Sequence, residues 1–308
     1  LAELGRADLR EPAGWEAVAT AAAGVSPAGR LGDRAAIGET YRGEIVTLRD
    51  RIRTQTDLTI ELPPTIAVCD RHDWLRMLGR LVGRIATSEA GARLVTGPTP
   101  LTAAGYAGML GLLSRRVLGQ VDPGLFGADG MRGLYIVEPN LQASARRLGA
   151  EPAVLRRWIV AHELVHVAQF TRAPWLITQL EAHLEAVLHA AAGGRIDQQA
   201  LGRLQRTMTV IEGHAEWQMD ALLTDDVSGL RTAVDRRRRA PDPLTRVLGA
   251  LIGLDQKRTQ YVTGRAFFQA VAESPESVRP THVFDEPAML PTAAELETPQ
   301  RWVARVAG

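Results

Sequence analysis

The chain of 308 residues carries 36 Lys and Arg against 35 Asp and Glu, and 45% of it is apolar. That composition belongs to a globular protein, and a net charge of +1 provides no field to recruit nucleic acid or an acidic membrane surface. A single cysteine, Cys69, excludes an internal disulfide framework and a Cys-rich metal site, and fits a cytoplasmic location.

Residues 1–24 lack the basic head and apolar middle of a signal peptide, so no export signal is expected. Helices are predicted over residues 6–24 and 36–56, forming an amino-terminal helical layer at about residues 1–60, with turn formers clustered at Ser26-Pro27-Ala28-Gly29 between them. Pro63-Pro64 blocks helix, and Thr65-Ile66-Ala67-Val68-Cys69 has the composition of a strand. Asp70 reads as an N-cap and Asp73 as a favourable acid in the first turn of a helix through Trp74 to Ile85. Leu94 to Ser114 is uncharged, but its apolar part from Leu101 to Leu113 is shorter than a bilayer span. A core helix running to Leu118 is the expectation, with Gly105, Gly108 and Gly111 admitting a close neighbour. Asp122 to Gly130 is a loop by composition, and Leu134-Tyr135-Ile136-Val137 is the strongest strand signal, ended by Pro139-Asn140.

Pro152 suits a first helical turn, and neither Pro nor Gly interrupts Ala153 to Phe170. That helix contains His162-Glu163-Leu164-Val165-His166, an H-E-x-x-H arrangement. On a 3.6-residue period His162 and His166 share a face one turn apart, where two imidazoles can hold one metal ion. Ile159, Val160, Leu164, Val165, Val167 and Phe170 surround them with apolar side chains, which predicts burial. A buried, unpartnered Glu163 would cost several kcal/mol, on the order of other isolated buried charges, whereas a divalent cation and its water would compensate it.

Further helices are predicted over Trp175 to Ala192, about Asp197 to Leu223, and Leu244 to Ala272 with a break near Gly253. Thr292-Ala293-Ala294-Glu295 is a capping box before a last helix around Trp302. Arg236 to Arg239 reads as a solvated helix end or loop. No internal repeat or obvious linker is present, so the chain is expected to form one unit over residues 1–308, mainly α with a small β-sheet (α+β).

Two histidines leave a zinc site incomplete, since a catalytic site takes three protein ligands plus water. Gln169 and Arg172 stand where a metzincin needs Gly and His, leaving a carboxylate as the third ligand. Glu185, in Leu180-Glu181-Ala182-His183-Leu184-Glu185, and Glu212, in Ile211-Glu212-Gly213-His214-Ala215-Glu216-Trp217, both qualify by sequence.

Glu212-Gly213-His214-Ala215-Glu216 downstream of H-E-x-x-H resembles the second motif of gluzincin metallopeptidases, whose first Glu binds zinc; the resemblance makes Glu212 the third ligand. More specifically, the chain resembles a zincin-like family of uncharacterised hydrolases, often labelled as associated with deazaflavin coenzyme biosynthesis. The shared stretches are Pro63 to Arg71 with Trp74, Val117 to Gln120 with Asp122-Pro123, Pro139-Asn140, His162-Glu163-x-x-His166 with Gln169-Phe170, Glu212 to Glu216 with Met219-Asp220, Leu254 to Lys257 with Gln260-Tyr261, Leu290-Pro291 and Trp302. The resemblance implies a zincin-like metalloprotease fold with added helices and one bound zinc. Glu216, one turn after Glu212 on the same face, can orient a zinc-bound imidazole or pair with a nearby base, and Asp220, a turn further, is a candidate for the same supporting role. His214 either lines the cleft or packs internally, Tyr261 and Lys257 are candidates to stabilise an oxyanion, and His183 with Glu181 and Glu185 reads as a polar helix face.

The expected function is a zinc metallohydrolase, a gluzincin-like peptidase or amidohydrolase. His162, His166 and Glu212 hold the metal, Glu163 is the general base, and the partner is a peptide or other amide substrate. No nucleic-acid or membrane partner and no Gly-rich cofactor-binding loop are expected. The alternative is a metal-stabilised binding or scaffold protein without turnover, linked to deazaflavin coenzyme metabolism, because ligand identity reports metal binding and not an open coordination position.

Overall fold

The computed structural model describes residues 9, 11–94, 100–127, 130–223, 229, 230, 232 and 254–308. In order they form α1 (Pro12–Val25), α2 (Arg34–Gln55), β1 (Thr65–Cys69), α3 (Arg71–Thr87), α4 (Glu89–Leu94), α5 (Pro100–Leu113), β2 (Gly119–Asp122) and β3 (Gly133–Val137). There follow α6 (Glu138–Leu148), α7 (Pro152–Arg172), α8 (Trp175–Ala192), α9 (Gln198–Leu222), α10 (Leu254–Ala272), two short 3-10 turns, α11 (Ala293–Glu297) and α12 (Pro299–Ala307). The chain is mainly α with one small sheet among the described residues, as its periodicity predicts. The Arg236 to Arg239 run and the break expected near Gly253 lie outside the described residues. Among the described residues no helix is long and apolar enough to cross a membrane.

Two compact units are formed, each from three stretches of chain. The first comprises Leu1–Glu44, Leu62–Ala145 and Ile177–Leu201, and the second Ile45–Glu61, Arg146–Leu176 and Gly202–Gly308.

In the first unit α1 lies against α3 and α5, and Trp15, Val18 and Ala22 meet Trp74, Leu75, Met77, Ala107 and Leu110 in one buried apolar cluster. Helix backbones approach closely here. A Cβ on Gly111 would come 2.6 Å from Val25 Cγ2 and 3.1 Å from the Ala22 carbonyl oxygen, while Gly105 and Gly108 have nothing within 4 Å. Of the three glycines expected to admit a neighbour, Gly111 alone does so. In the sheet, β3 is central, with β1 parallel to it in the register Thr65↔Gly133 to Cys69↔Val137, and β2 antiparallel. Asp70 caps α3 in a complete capping box with Asp73.

Two elements depart from expectation. β2 occupies residues expected to follow directly from a helix ending at Leu118; at four residues it is too short to show alternation. Pro139 does end β3, but it sits in the first turn of α6, where a missing N–H is harmless. Asn140 of α6 is fully buried and satisfied: its amide donates to the Ser114 and Val117 carbonyls, both at 2.7 Å, and its oxygen accepts from Arg71 Nε at 2.7 Å. Asp122 at the end of β2 accepts from Arg84 at 2.8 Å and from the Gly124 N–H at 3.0 Å.

In the second unit Phe267 of α10 meets the Trp302 ring of α12 edge-on at 5.5 Å, and Trp302 Nε1 donates to the Met289 carbonyl at 2.7 Å. Thr292 and Glu295 form the expected capping box. α9 and α10 cross with backbones in contact, since a Cβ on Gly213 would lie 2.3 Å from Gly264 Cα.

That crossing generates a paired prediction. Gly213→Ala should lower unfolding stability by about 1–3 kcal/mol through overpacking, whereas Gly105→Ala, in open space within α5, should raise it by up to about 1 kcal/mol through helix propensity. Denaturant midpoints of the two variants measure both. Cys69, buried at the end of β1, has its thiol pushed up to about 12 by burial and then by the Asp73 and Asp70 charges. It should therefore resist thiol reagents at pH 8 in the native protein and label on unfolding.

Candidate metal centre

α7 starts at Pro152 and is buried almost continuously from Val160 to Phe170, His162 being the partly exposed exception. A helix with so little solvent contact must satisfy its polar side chains internally. His162 and His166 stand one turn apart with Nε2 atoms 3.1 Å from each other. Glu212 enters from α9, its Oε2 lying 3.5 Å from His162 Nε2 and 3.7 Å from His166 Nε2. All three residues belong to the second unit.

Among the described residues this is the one group of three or more His, Cys, Asp and Glu side chains whose ligand atoms, within 4.8 Å of one another, could hold a metal ion. Two imidazole nitrogens and a carboxylate oxygen at about 2.0–2.1 Å from a tetrahedral zinc ion would be about 3.3 Å apart. Edges of 3.1, 3.5 and 3.7 Å surround that value, so the donor set fits zinc in both chemistry and spacing. Glu185, the other carboxylate raised by the sequence, is not in the group.

Electrostatics at the site are dominated by carboxylates. Burial disfavours a charged His162, yet the Glu212 carboxylate, helped by Glu163 and Glu216, outweighs it and raises the pKa overall. Glu163 and Glu216, 7% and 6% exposed, are thus close enough for their charge to be felt at a ligand nitrogen. His214 behaves oppositely: burial, with the charge of His166 adding to it, pushes its pKa down to about 3. Fully buried, it meets the rings of Phe268 and Phe284 edge-on at 4.9 and 4.8 Å, which makes it the packed histidine of the two readings.

Asp220, two turns beyond Glu212, makes an ion pair with Arg265 of α10 at 2.6 Å, both side chains being over 40% exposed. The side chains of Lys257 and Tyr261 lie outside the described residues. In the first unit, the expected polar face around His183 is in part buried: His183 pairs with Gln179 at 2.9 Å, and Glu181 accepts from the N–H of Phe126 at 2.5 Å, a residue with positive φ.

Sequence reading missed the role of Gln169, which it noted as a departure from the metzincin pattern and as part of the family resemblance, with no partner assigned. It is fully buried and joined to His166 Nδ1 at 2.8 Å, to the Ile211 carbonyl at 2.8 Å and to His214 Nδ1 at 3.1 Å. Its spacing three residues after His166 is the signal that could have found it.

A family model described as a zincin-like metallopeptidase matches residues 14–197 and 193–303. Among solved structures, one from Chloroflexus aurantiacus described as "a putative hydrolase with a novel fold" is 28% identical, with a TM-score of 0.78 over 95% of this chain and 98% of that one. No curated protein sequence matches the chain. The family match spans both H-E-x-x-H and the Glu212 segment, nearly the whole sequence, and the chain therefore belongs to the zincin-like metallopeptidase family.

Proposed function

We propose that this protein is a zinc-dependent hydrolase that uses water to cleave a peptide or another amide bond. The observation that carries this reading is the convergence of His162, His166 and Glu212 on one point, with the buried Glu163 next to His162 in α7. Family membership supports the coarser part, metal-dependent hydrolysis.

In this reading His162 and His166 bind through Nε2 and Glu212 through a carboxylate oxygen, and the apolar walls of α7 limit bulk water around them. Bound zinc would supply Lewis acidity, lowering the pKa of water to about 7 and polarising the substrate carbonyl. Glu163 accepts a proton from the attacking water as the water oxygen bonds to the carbonyl carbon. It then delivers that proton to the amide nitrogen as the C–N bond breaks, releasing an amine and a carboxylic acid, which loses its remaining proton to water. Glu216 adds negative charge beside His162, favouring a cation at the site.

Metal analysis of the purified, reconstituted protein should find about one zinc per chain, as one three-ligand site requires. Glu212→Ala should sharply weaken zinc affinity and Glu185→Ala should leave it nearly unchanged; absence of tight zinc binding at neutral pH would remove the reading.

Glu163→Gln should retain zinc and thermal midpoint, because the amide replaces a base and not a ligand. Turnover of any substrate found by screening quenched peptides and simple amides should fall by roughly 10²–10⁴-fold. Equal turnover by the variant would refute the mechanism, and a zinc-loaded parent with no activity across the screen would favour a metal-stabilised binding protein.

A further inference from the structure

We propose that Gln169 is a positioning residue that presents the Nε2 lone pair of His166 to the metal and couples that ligand to the backbone beside Glu212. The inference rests on the reading of His162, His166 and Glu212 as the metal site.

The Ile211 carbonyl oxygen can only accept, so the Gln169 atom 2.8 Å from it must be the amide nitrogen. That assignment fixes the amide orientation and leaves Oε1 facing His166 Nδ1 at 2.8 Å. An amide oxygen can only accept, so His166 Nδ1 carries a proton. In a neutral imidazole the lone pair then belongs to Nε2, the atom that faces His162 and Glu212.

The second N–H of Gln169 points to His214 Nδ1 at 3.1 Å. His214 Nδ1 therefore accepts, and its own proton sits on Nε2, which has no hydrogen-bond partner among the described residues and lies in an imidazole flanked by Phe268 and Phe284. Packed between aromatic rings, that N–H gains no polar partner from a ring flip, which would also withdraw Nδ1 from Gln169. One amide thus makes three bonds, one to a ligand on α7 and two to α9. Ile211 immediately precedes Glu212, so the ligands contributed by the two helices are held in register by a side chain that binds no metal. Partners of this kind on the distal nitrogen of a ligating histidine typically contribute 10–100-fold in metal affinity.

Histidine-selective 15N labelling separates the tautomers directly. Long-range 15N correlations should show His166 protonated at Nδ1 in both metal-free and zinc-loaded protein, and His214 protonated at Nε2. A His166 without a proton on Nδ1 would overturn the proposal. Because the metal-free measurement stands alone, a parent protein that binds no zinc would defeat the metal-site reading without deciding the role of Gln169.

Chelator competition then tests the consequence. Gln169→Met, similar in shape but unable to accept from Nδ1–H, should weaken zinc binding by about 10–100-fold. Gln169→Glu, which keeps the acceptor but loses both N–H bonds, to the Ile211 carbonyl and to His214 Nδ1, should stay within a few-fold of the parent even though its metal-free thermal midpoint falls. A purely structural role predicts the other pattern, with zinc affinity following the thermal midpoint across both variants; that result, or parental affinity in Gln169→Met, would sink the proposal.

Discussion

The constraint on which the rest depends is that α7 carries polar side chains through a nearly water-free interior. Glu163, His166 and Gln169 recur every three residues and are all buried, with 8% or less of each exposed, so most of their pairing must come from within the protein. An isolated polar group there costs about 1–3 kcal/mol, and an isolated charge considerably more. For His166 and Gln169 the partners come from α9, which supplies the Glu212 carboxylate, the Ile211 carbonyl and the His214 ring within four residues. Ligand set and hydrogen-bond network are consequently the same piece of structure.

Such concentration demands that α9 be held firmly, and its far side shows how. Gly213 and Gly264 bring the backbones of α9 and α10 closer than any side chain would permit. Phe268 of the same helix then packs on His214 from within one turn of the crossing. Arg265, on the next residue after Gly264, pairs with Asp220 at the rim. The glycine between Glu212 and His214 therefore has a packing reason to be there, independent of any chemistry: a methyl group at that position would separate the helix that carries the third ligand from its support.

The first unit illustrates the same principle without a metal. Asn140 and Asp122 are buried and fully engaged, Asn140 with two carbonyls and Arg71, Asp122 with Arg84 and a backbone N–H. Tyr41 of α2 donates to the buried carboxylate of Glu138, which also accepts from Gln142 at 2.7 Å. These bonds tie β2 to α3, and α6 to α2 and α3.

What the sequence determined by itself is what local rules control. A 3.6-residue period puts His162 and His166 on one face, the Asp70 and Thr292 boxes start their helices, and uninterrupted apolar composition buries α7. Each depends on residues within about a turn of one another, so no knowledge of packing is needed. The tertiary structure decided everything that joins distant parts of the chain: the 42-residue reach from Gln169 to the Ile211 carbonyl, the inclusion of Glu212 and not Glu185 in the cluster, and the outward turn of Asp220 to Arg265. It also decided which glycine meets a neighbour and that Pro139 opens a helix. Propensity and periodicity place a side chain on a face of its own helix; which partner that face meets depends on how helices pack, and an amide, a carboxylate or a missing Cβ has no local signature of the group it will touch.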